Sequence, residues 1–307
     1  MYLVGDIGGT TTVLALMDKK GKRHTIKYYL SKESSFNDIL THFMLSVSHK
    51  PKKACFAVAG PVNNNVCKTT NLPWVLHGKR LAKKLRIPVT LINDFEAVGY
   101  GVFALKKKDV VQLNKARPSG EMAVVIGPGT GLGEAILYNG NVIPSEGGHS
   151  DLAARTTIEC KLKQKLLRKG VASAEAVVSG PGIVNIFNFL ATKIPKKLQL
   201  YLREDDPAAV ISYQAIKNTF PVCVKTMKMF VTFYAREAQS LALKAKATKG
   251  VYLAGGISAK IIPLLKKWFM KEFTSNKKMK ILLKSMPVFV VKHKEVGLLG
   301  AWQFIAR

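Results

Sequence analysis

The sequence predicts an α/β protein of two lobes. Three observations predict it. A strand, a glycine-rich turn and a second strand open the chain, and the same pattern returns near residue 130. Apolar strand-like runs alternate with helix-like stretches, as in sheets covered by helices. The chain has 307 residues, past the size at which a single hydrophobic core keeps growing.

The first hairpin begins with the apolar strand Tyr2-Leu3-Val4. It turns through Gly5-Asp6-Ile7-Gly8-Gly9-Thr10-Thr11-Thr12 and returns as Val13-Leu14-Ala15-Leu16-Met17. Glycines there let backbone N–H groups point at phosphate oxygens, and Thr10 to Thr12 add hydroxyl donors. Asp6 is placed to hold a hydrated Mg²⁺ beside those phosphates. No Lys-Ser/Thr follows the glycines, so this is not a Walker loop; a plain hairpin turn is the competing reading. The second hairpin runs Val124-Val125-Ile126 into Gly127-Pro128-Gly129-Thr130-Gly131-Leu132-Gly133 and then Ala135-Ile136-Leu137. It lacks dinucleotide-fold spacing, because Leu132 and Glu134 occupy the third-glycine positions and a strand follows. Further on, Val251-Tyr252-Leu253-Ala254 enters Gly255-Gly256-Ile257 and a helical stretch through Trp268. That turn suits an anion or the sugar–base end of a nucleotide. Ser179-Gly180-Pro181-Gly182 precedes another apolar helix, Ile183 to Leu190. Two phosphate hairpins, one per half, are the internal duplication expected of an actin-like ATPase (RNase H-like) fold, with the active site in the cleft between the lobes.

Between the hairpins lies the candidate chemistry. The strand Val89-Thr90-Leu91-Ile92 ends at Asn93-Asp94-Phe95-Glu96-Ala97, which opens a helix through Ala104. Sheets of this class place ligands at strand C-termini. Asp94 can there accept the proton of a substrate hydroxyl attacking phosphorus, and Asn93 can bond the same substrate. An Asn-Asp pair is also a common helix cap, and both readings stand. Ser145-Glu146-Gly147-Gly148-His149-Ser150-Asp151 places a carboxylate, two glycines and an imidazole in one turn of a chain holding only 19 Asp plus Glu. The glycines would let backbone approach a ligand, and the side chains accept and donate as a polyhydroxylated ligand requires.

Composition narrows the class. A hydrophobic fraction of 48% supports globular cores and excludes disorder over the whole chain. No run of about 18 uncharged apolar residues occurs, so no transmembrane helix is expected. Met1 to Asp6 lacks the basic region of a signal peptide, so a cytoplasmic protein is expected. Cys55, Cys67, Cys160 and Cys223 form no CxxC pair and read as reduced thiols. The net charge of +29 attracts polyanions. The lysines are dispersed and lack interleaved aromatics, which favours solvated faces over a nucleic-acid site, without excluding the latter.

The motifs in order resemble the bacterial-type glucokinase family along the whole chain. They are Asp6-Ile7-Gly8-Gly9-Thr10, Ala59-Gly60-Pro61-Val62 with Thr70-Asn71-Leu72-Pro73-Trp74, and Asn93-Asp94-Phe95-Glu96-Ala97. Then come Gly127 to Gly133, Glu146-Gly147-Gly148-His149, Ser173-Ala174-Glu175 before Ser179-Gly180-Pro181-Gly182, Ala254-Gly255-Gly256-Ile257, and Gly297-Leu298-Leu299-Gly300. The resemblance implies a hexose kinase moving the γ-phosphoryl of ATP, with Mg²⁺, to the 6-hydroxyl of D-glucose. It implies Asp94 as general base and Asn93, Glu146, His149 and Glu175 as sugar-binding residues. Gly5, Asp6, Ile7, Gly8, Gly9 and Thr10 match the nucleotide-phosphate segment. The turns with Gly129, Thr130 and Gly131 and with Gly255 and Gly256 match the rest of the nucleotide site.

Two departures from the family pattern occur: Thr11-Thr12 stands where relatives carry a polar amide, and Asp151 to Arg155 lacks the usual Ala-Pro pair. A kinase of another hexose or amino sugar is the alternative reading. A basic regulatory or nucleic-acid-binding protein on the same fold is the non-enzyme alternative, disfavoured because the acids are kept and no helix-turn-helix precedes the first strand. His149 is not read as a zinc ligand, since no Cys-rich motif follows it. The expected lobes are residues 1–105 with about 287–307, and about 106–286. Val288 to Val291 and the helix Gly297 to Ile305 are expected to pack on the first lobe. The family resemblance also implies a homodimer, to which an apolar helix from Val222 to Ala247 would contribute.

Overall fold

The computed structural model describes residues 1–70 and 72–307. Asn71, part of the Thr70 to Trp74 motif, lies outside the described residues. The chain forms two compact units: Met1–Lys106 with Gly140–Pro144 and His293–Arg307, and Lys107–Asn139 with Ser145–Lys292.

The first unit contains β1 (Tyr2–Ile7), β2 (Thr11–Met17), β3 (Arg23–Leu30), α1 (Phe36–Leu45), β4 (Lys53–Val58), β5 (Val62–Asn63), β6 (Val66–Lys68), β7 (Val75–His77), α2 (Gly78–Leu85), β8 (Val89–Asn93) and α3 (Asp94–Val102). Its main sheet has the order β3-β2-β1-β4-β8. β1 runs antiparallel to β2 and parallel to β4, and β4 is parallel to β8. Both faces of this sheet are covered, which is why β1 and β4 read as near-continuous apolar runs. Leu3, Ile7, Leu14 and Phe56 pack with Phe36, Leu40 and Phe43 of α1. On the opposite face, Val4, Ala15, Cys55 and Ala57 pack with Leu298, Ala301 and Ile305 of the C-terminal helix Val296–Ala306. That helix also crosses α3 at backbone contact distance. A Cβ on Gly300 would overlap the Ala97 carbonyl, and one on Gly101 would overlap that of Val296.

The second unit contains β9 (Val110–Gln112), β10 (Met122–Pro128) and β11 (Leu132–Tyr138); β12 (Asn141–Ser145), assigned up to Pro144 to the first unit, leads into a short 3-10 turn at Gly147–His149. Then follow α4 (Thr157–Leu167), α5 (Gly180–Leu190), α6 (Lys196–Glu204), α7 (Pro207–Ile216), α8 (Pro221–Ala245), β13 (Gly250–Leu253), α9 (Gly255–Lys260), α10 (Ile262–Phe273), α11 (Lys280–Ser285) and β14 (Val288–Val291). The C-terminal helix, α12, belongs to the first unit. Strands run in the order β11-β10-β13-β14-β9. β10 is antiparallel to β11 and parallel to β13, and β13 is parallel to β14. The series β2-β1-β4-β8 and β11-β10-β13-β14 thus share order and directions, which is the duplication the two hairpins predicted.

Two expectations differ from the structure. Val288–Val291 does not pack on the first unit. It pairs with β13 and β9 in the second sheet, because a parallel strand needs a helical crossover and α9 to α11 supply one. The helix expected from Val222 to Ala247 runs Pro221–Ala245, and Phe230, Tyr234, Ala238 and Ala242 bury its apolar face in the core of its own unit. Among the described residues no helix is long and apolar enough to cross a membrane.

Candidate active site

In the first unit, the β1–β2 turn is closed by the Gly8 N–H donating to the Thr11 carbonyl at 3.0 Å. It is braced from below. The Ser31 hydroxyl donates to the Gly8 carbonyl at 2.8 Å and lies 2.9 Å from the Thr12 hydroxyl. Thr12 is fully buried, so its hydroxyl shapes the turn, leaving Thr10 and Thr11 exposed. Gly5 and Ile7 are interior β1 residues. Ile7 fills the core, and a Cβ on Gly5 would lie 2.7 Å from both Leu14 and Phe56. Close packing thus accounts for Gly5, and the part of this segment that meets open surface narrows to Asp6 and Gly8 to Thr10.

Asp6 sits at the N-terminal end of α12, where the missing Cβ of Gly297 leaves room for its carboxylate; a Cβ there would lie 2.7 Å from Oδ2. Burial first, and the charge of Asp94 second, push the Asp6 carboxyl up to about 7. Asn93 ends β8 and caps α3. Its Oδ1 accepts the Phe95 and Glu96 N–H groups at 2.8 and 3.1 Å, and its amide donates to the Gly60 carbonyl at 3.1 Å. The cap reading of Asn93 is therefore correct, and it fixes the residue that follows. Asp94 opens α3, with Oδ1 accepting the Phe95 N–H at 2.9 Å. The structure brings Asp94 and Asp6 close enough to interact electrostatically.

In the second unit, β10 and β11 join through Gly129-Thr130-Gly131, with the Gly129 N–H donating to the Gly131 carbonyl at 2.8 Å. The chain after the 3-10 turn pairs back on residues 172–175 through Leu152 to Ala172, Ala174 to Ser150 and Glu175 to Gly148 backbone bonds of 2.8 to 2.9 Å. This pairing sets Glu175 beside His149. Glu175 Oε2 accepts the Leu132 N–H at 2.8 Å, so this carboxylate is tied to the β10–β11 hairpin. Its Oε1 lies 3.9 Å from His149 Nδ1, and His149 Nε2 lies 3.8 Å from Glu146 Oε2. Glu146 and His149 are exposed and Glu175 is about one-third exposed. Three of the four expected sugar-binding side chains thus form one array against the expected phosphate turn.

The Gly147-Gly148 pair has a different reason from the one its sequence suggested. Both glycines back onto β11. A Cβ on Gly148 would overlap the Leu132 carbonyl, and one on Gly147 would overlap the Glu134 carboxylate. Gly255 is left-handed, with φ +81, and abuts the Pro128 carbonyl, whereas a Cβ on Gly129 or Gly256 would meet nothing within 4 Å. Those two backbones therefore border open space where β10 and β13 end.

Sequence reasoning missed two groups. Ser31 gave no signal, being a serine in a loop. Glu134 was noted only for where it fell in a glycine pattern; an acid inside an apolar strand of an acid-poor chain was the available clue. As for a cation, no cluster of three or more His, Cys, Asp or Glu among the described residues could hold a metal ion alone. A hard carboxylate oxygen at Asp6, whose charged form is disfavoured by burial and by the neighbouring Asp94, fits Mg²⁺ that keeps waters and substrate phosphates as its other ligands.

A family model described as Glucokinase matches residues 3–307. A glucokinase of Nostoc sp. is 40% identical, with 100% of this chain and 99% of that protein covered. The crystal structure of a glucokinase from an Antarctic psychrotroph superposes with a TM-score of 0.84 at 29% identity, covering 99% of this chain and 98% of the other. That of a Balamuthia mandrillaris glucokinase in complex with glucose gives 0.80 at 23% identity, covering 100% and 93%. The two α/β units with their repeated hairpins are accordingly those of the actin-like ATPase fold, and the chain belongs to the glucokinase family.

Proposed function

We propose that this protein is an ATP-dependent glucokinase that phosphorylates D-glucose at its 6-hydroxyl. The observation that carries this reading is the Glu146–His149–Glu175 array, anchored to the Gly129–Gly131 hairpin through the bond from Leu132 to Glu175. Polyol-binding groups and a phosphate turn are thereby one construction. Family membership supports the same reading.

In this mechanism Glu146, His149 and Glu175 hold the sugar hydroxyls. Each hydroxyl both donates and accepts, and the array offers both functions. A sugar whose hydroxyls point elsewhere would leave these groups unpaired, which gives selectivity. Asn93 fixes the start of α3 and so aims Asp94. Asp94 accepts the 6-hydroxyl proton as that oxygen attacks the γ-phosphorus and ADP departs. Gly8 to Thr10 and Gly129 to Gly131 offer backbone and hydroxyl donors to the phosphates. Asp6 would hold Mg²⁺ through water, and the ion, when bound, would offset charge on the phosphates.

The test mixes purified chain with Mg-ATP and a panel of hexoses and amino sugars, following ADP release and identifying the phosphorylated product. Glucose 6-phosphate formed with glucose as the preferred acceptor is expected. Sugar-independent hydrolysis, or preference for another sugar, overturns the reading.

A further inference from the structure

The mechanism leaves one buried acid unused. Glu134 sits inside β11 with 3% of its surface exposed. Among the described residues its Oε1 has no hydrogen-bond partner. Its Oε2 lies directly under Gly147, close enough that any side chain there would overlap it. Gly147 is the first residue after Glu146, and its N–H donates to the Ser145 hydroxyl at 3.0 Å rather than to Glu134. The carboxyl thus supports the turn by contact alone.

Its surroundings explain why that contact depends on charge. From α8 come Glu237, Lys244 and Tyr234. From the turn come Ser145 and Gly147. Burial and the Glu237 charge both disfavour ionised Glu134, and Lys244 only partly opposes them; the carboxyl is pushed up to about 7. Tyr234 is already committed, its hydroxyl 2.8 Å from the Ser258 hydroxyl and 3.2 Å from the Ile126 carbonyl. A neutral carboxyl can rest in this dry niche. An ionised one must draw water in or swing away, since an unpaired buried charge is far costlier than a buried neutral acid.

We propose that Glu134 is a positioning residue for the sugar-binding turn, seating Gly147 from below so that Glu146 and His149 keep their places, and that loss of its proton loosens that seat. The proposal rests on the reading of this turn as the glucose site. Glu134 touches neither sugar nor nucleotide, so its ionisation should act on sugar affinity and leave the chemical step alone.

The experiment measures KM for glucose and kcat from pH 5.5 to 9 for the native chain and for Glu134→Gln, which keeps the shape without the charge. The native KM should rise severalfold through pH 7 with little change in kcat beyond that of the variant, and Glu134→Gln should keep the low-pH KM throughout. Carbon-13 NMR of the native chain labelled at glutamate carboxyls follows Glu134 directly and serves even if the variant misfolds; a midpoint near 7 is expected. If glucose is phosphorylated but Glu134 titrates in the ordinary carboxylate range, or the two KM profiles coincide, the inference fails alone. If Glu134 titrates near 7 in a chain that phosphorylates no hexose, the sugar-site reading fails and takes the inference with it.

Discussion

Asp94 occupies a position that local chemistry holds firmly. It follows a capping asparagine bonded to three backbone groups, and its own Oδ1 accepts the next N–H at 2.9 Å. Replacing it with asparagine keeps size and backbone bonding while removing the base. We expect Asp94→Asn to lower kcat by about 10²–10⁴-fold while glucose affinity, measured by calorimetry, stays within about threefold; unchanged turnover would remove Asp94 from the mechanism. Glu134 allows a stability prediction of definite sign. Its folded value of about 7 lies above the ordinary 4.5, so between those pH values the folded chain keeps a proton that the unfolded chain has released. Stability therefore falls as pH rises through that window, and the loss is constant above it. The scale is on the order of 3 kcal/mol. Glu134→Gln should match the native Tm near pH 4.5 and exceed it increasingly up to pH 7; a difference independent of pH would refute this. At this scale the sequence was legible in identity and ambiguous in purpose. Asn93 was readable both as cap and as ligand, and the bonds to Phe95, Glu96 and Gly60 show the cap. Gly147 and Gly148 read as room for a ligand, yet what lies against them is β11, a contact no local pattern encodes.

The elements were more legible than their partners. The two hairpins, the β8-to-α3 junction and the long helix α8 follow from periodicity and glycine placement alone. The sheet that β14 joins does not, because Val288 to Val291 is equally apolar toward either unit and the choice is made by the crossover through α9 to α11. Nor does the sequence reveal which helices α4 is fastened to. Thr156 and Glu159 form a capping box at its start. Glu159 also receives Arg236 of α8 through both oxygens, at 2.8 and 2.9 Å, and Arg236 reaches Glu272 of α10 at 3.3 Å. Glu159 also accepts the Arg155 N–H at 2.7 Å, so the segment just beyond the sugar-binding turn is tied to the same network. Glu159 is 4% exposed, and removing it leaves the Arg236 guanidinium with only the longer Glu272 contact and takes away the α4 capping box. Glu159→Ala should cost roughly 3–5 kcal/mol in urea unfolding, and the double variant Glu159→Leu with Arg236→Met should recover most of it. A single-variant loss below about 1 kcal/mol would mean that the pair is effectively solvated.

Over the whole molecule, duplication and charge are the two dominant facts, and they differ in how they arise. Duplication is written into topology: β2-β1-β4-β8 and β11-β10-β13-β14 repeat one plan, each presenting a glycine turn at the end of its first hairpin. It was visible in the sequence because a strand–glycine–strand signal is local. Charge is a global sum, with 48 Lys plus Arg against 19 Asp plus Glu, so even complete pairing of the acids leaves a net +29. Compacting that charge into a folded chain raises its self-repulsion, which the unfolded chain relieves by expanding. Salt shortens the reach of these interactions from about 10 Å at 0.1 M to about 3 Å at 1 M. Surface repulsions outnumber surface attractions in this chain, so screening should weaken the former more. We therefore expect Tm to rise by several degrees as sodium chloride increases from 50 to 500 mM, and to do so equally in potassium chloride. The response should also survive Glu159→Ala, because a buried pair is screened far less than an exposed lysine field. A Tm that is flat or falls with salt would show that the lysines are spaced widely enough for water alone to separate them, and the net charge would then carry no cost to folding.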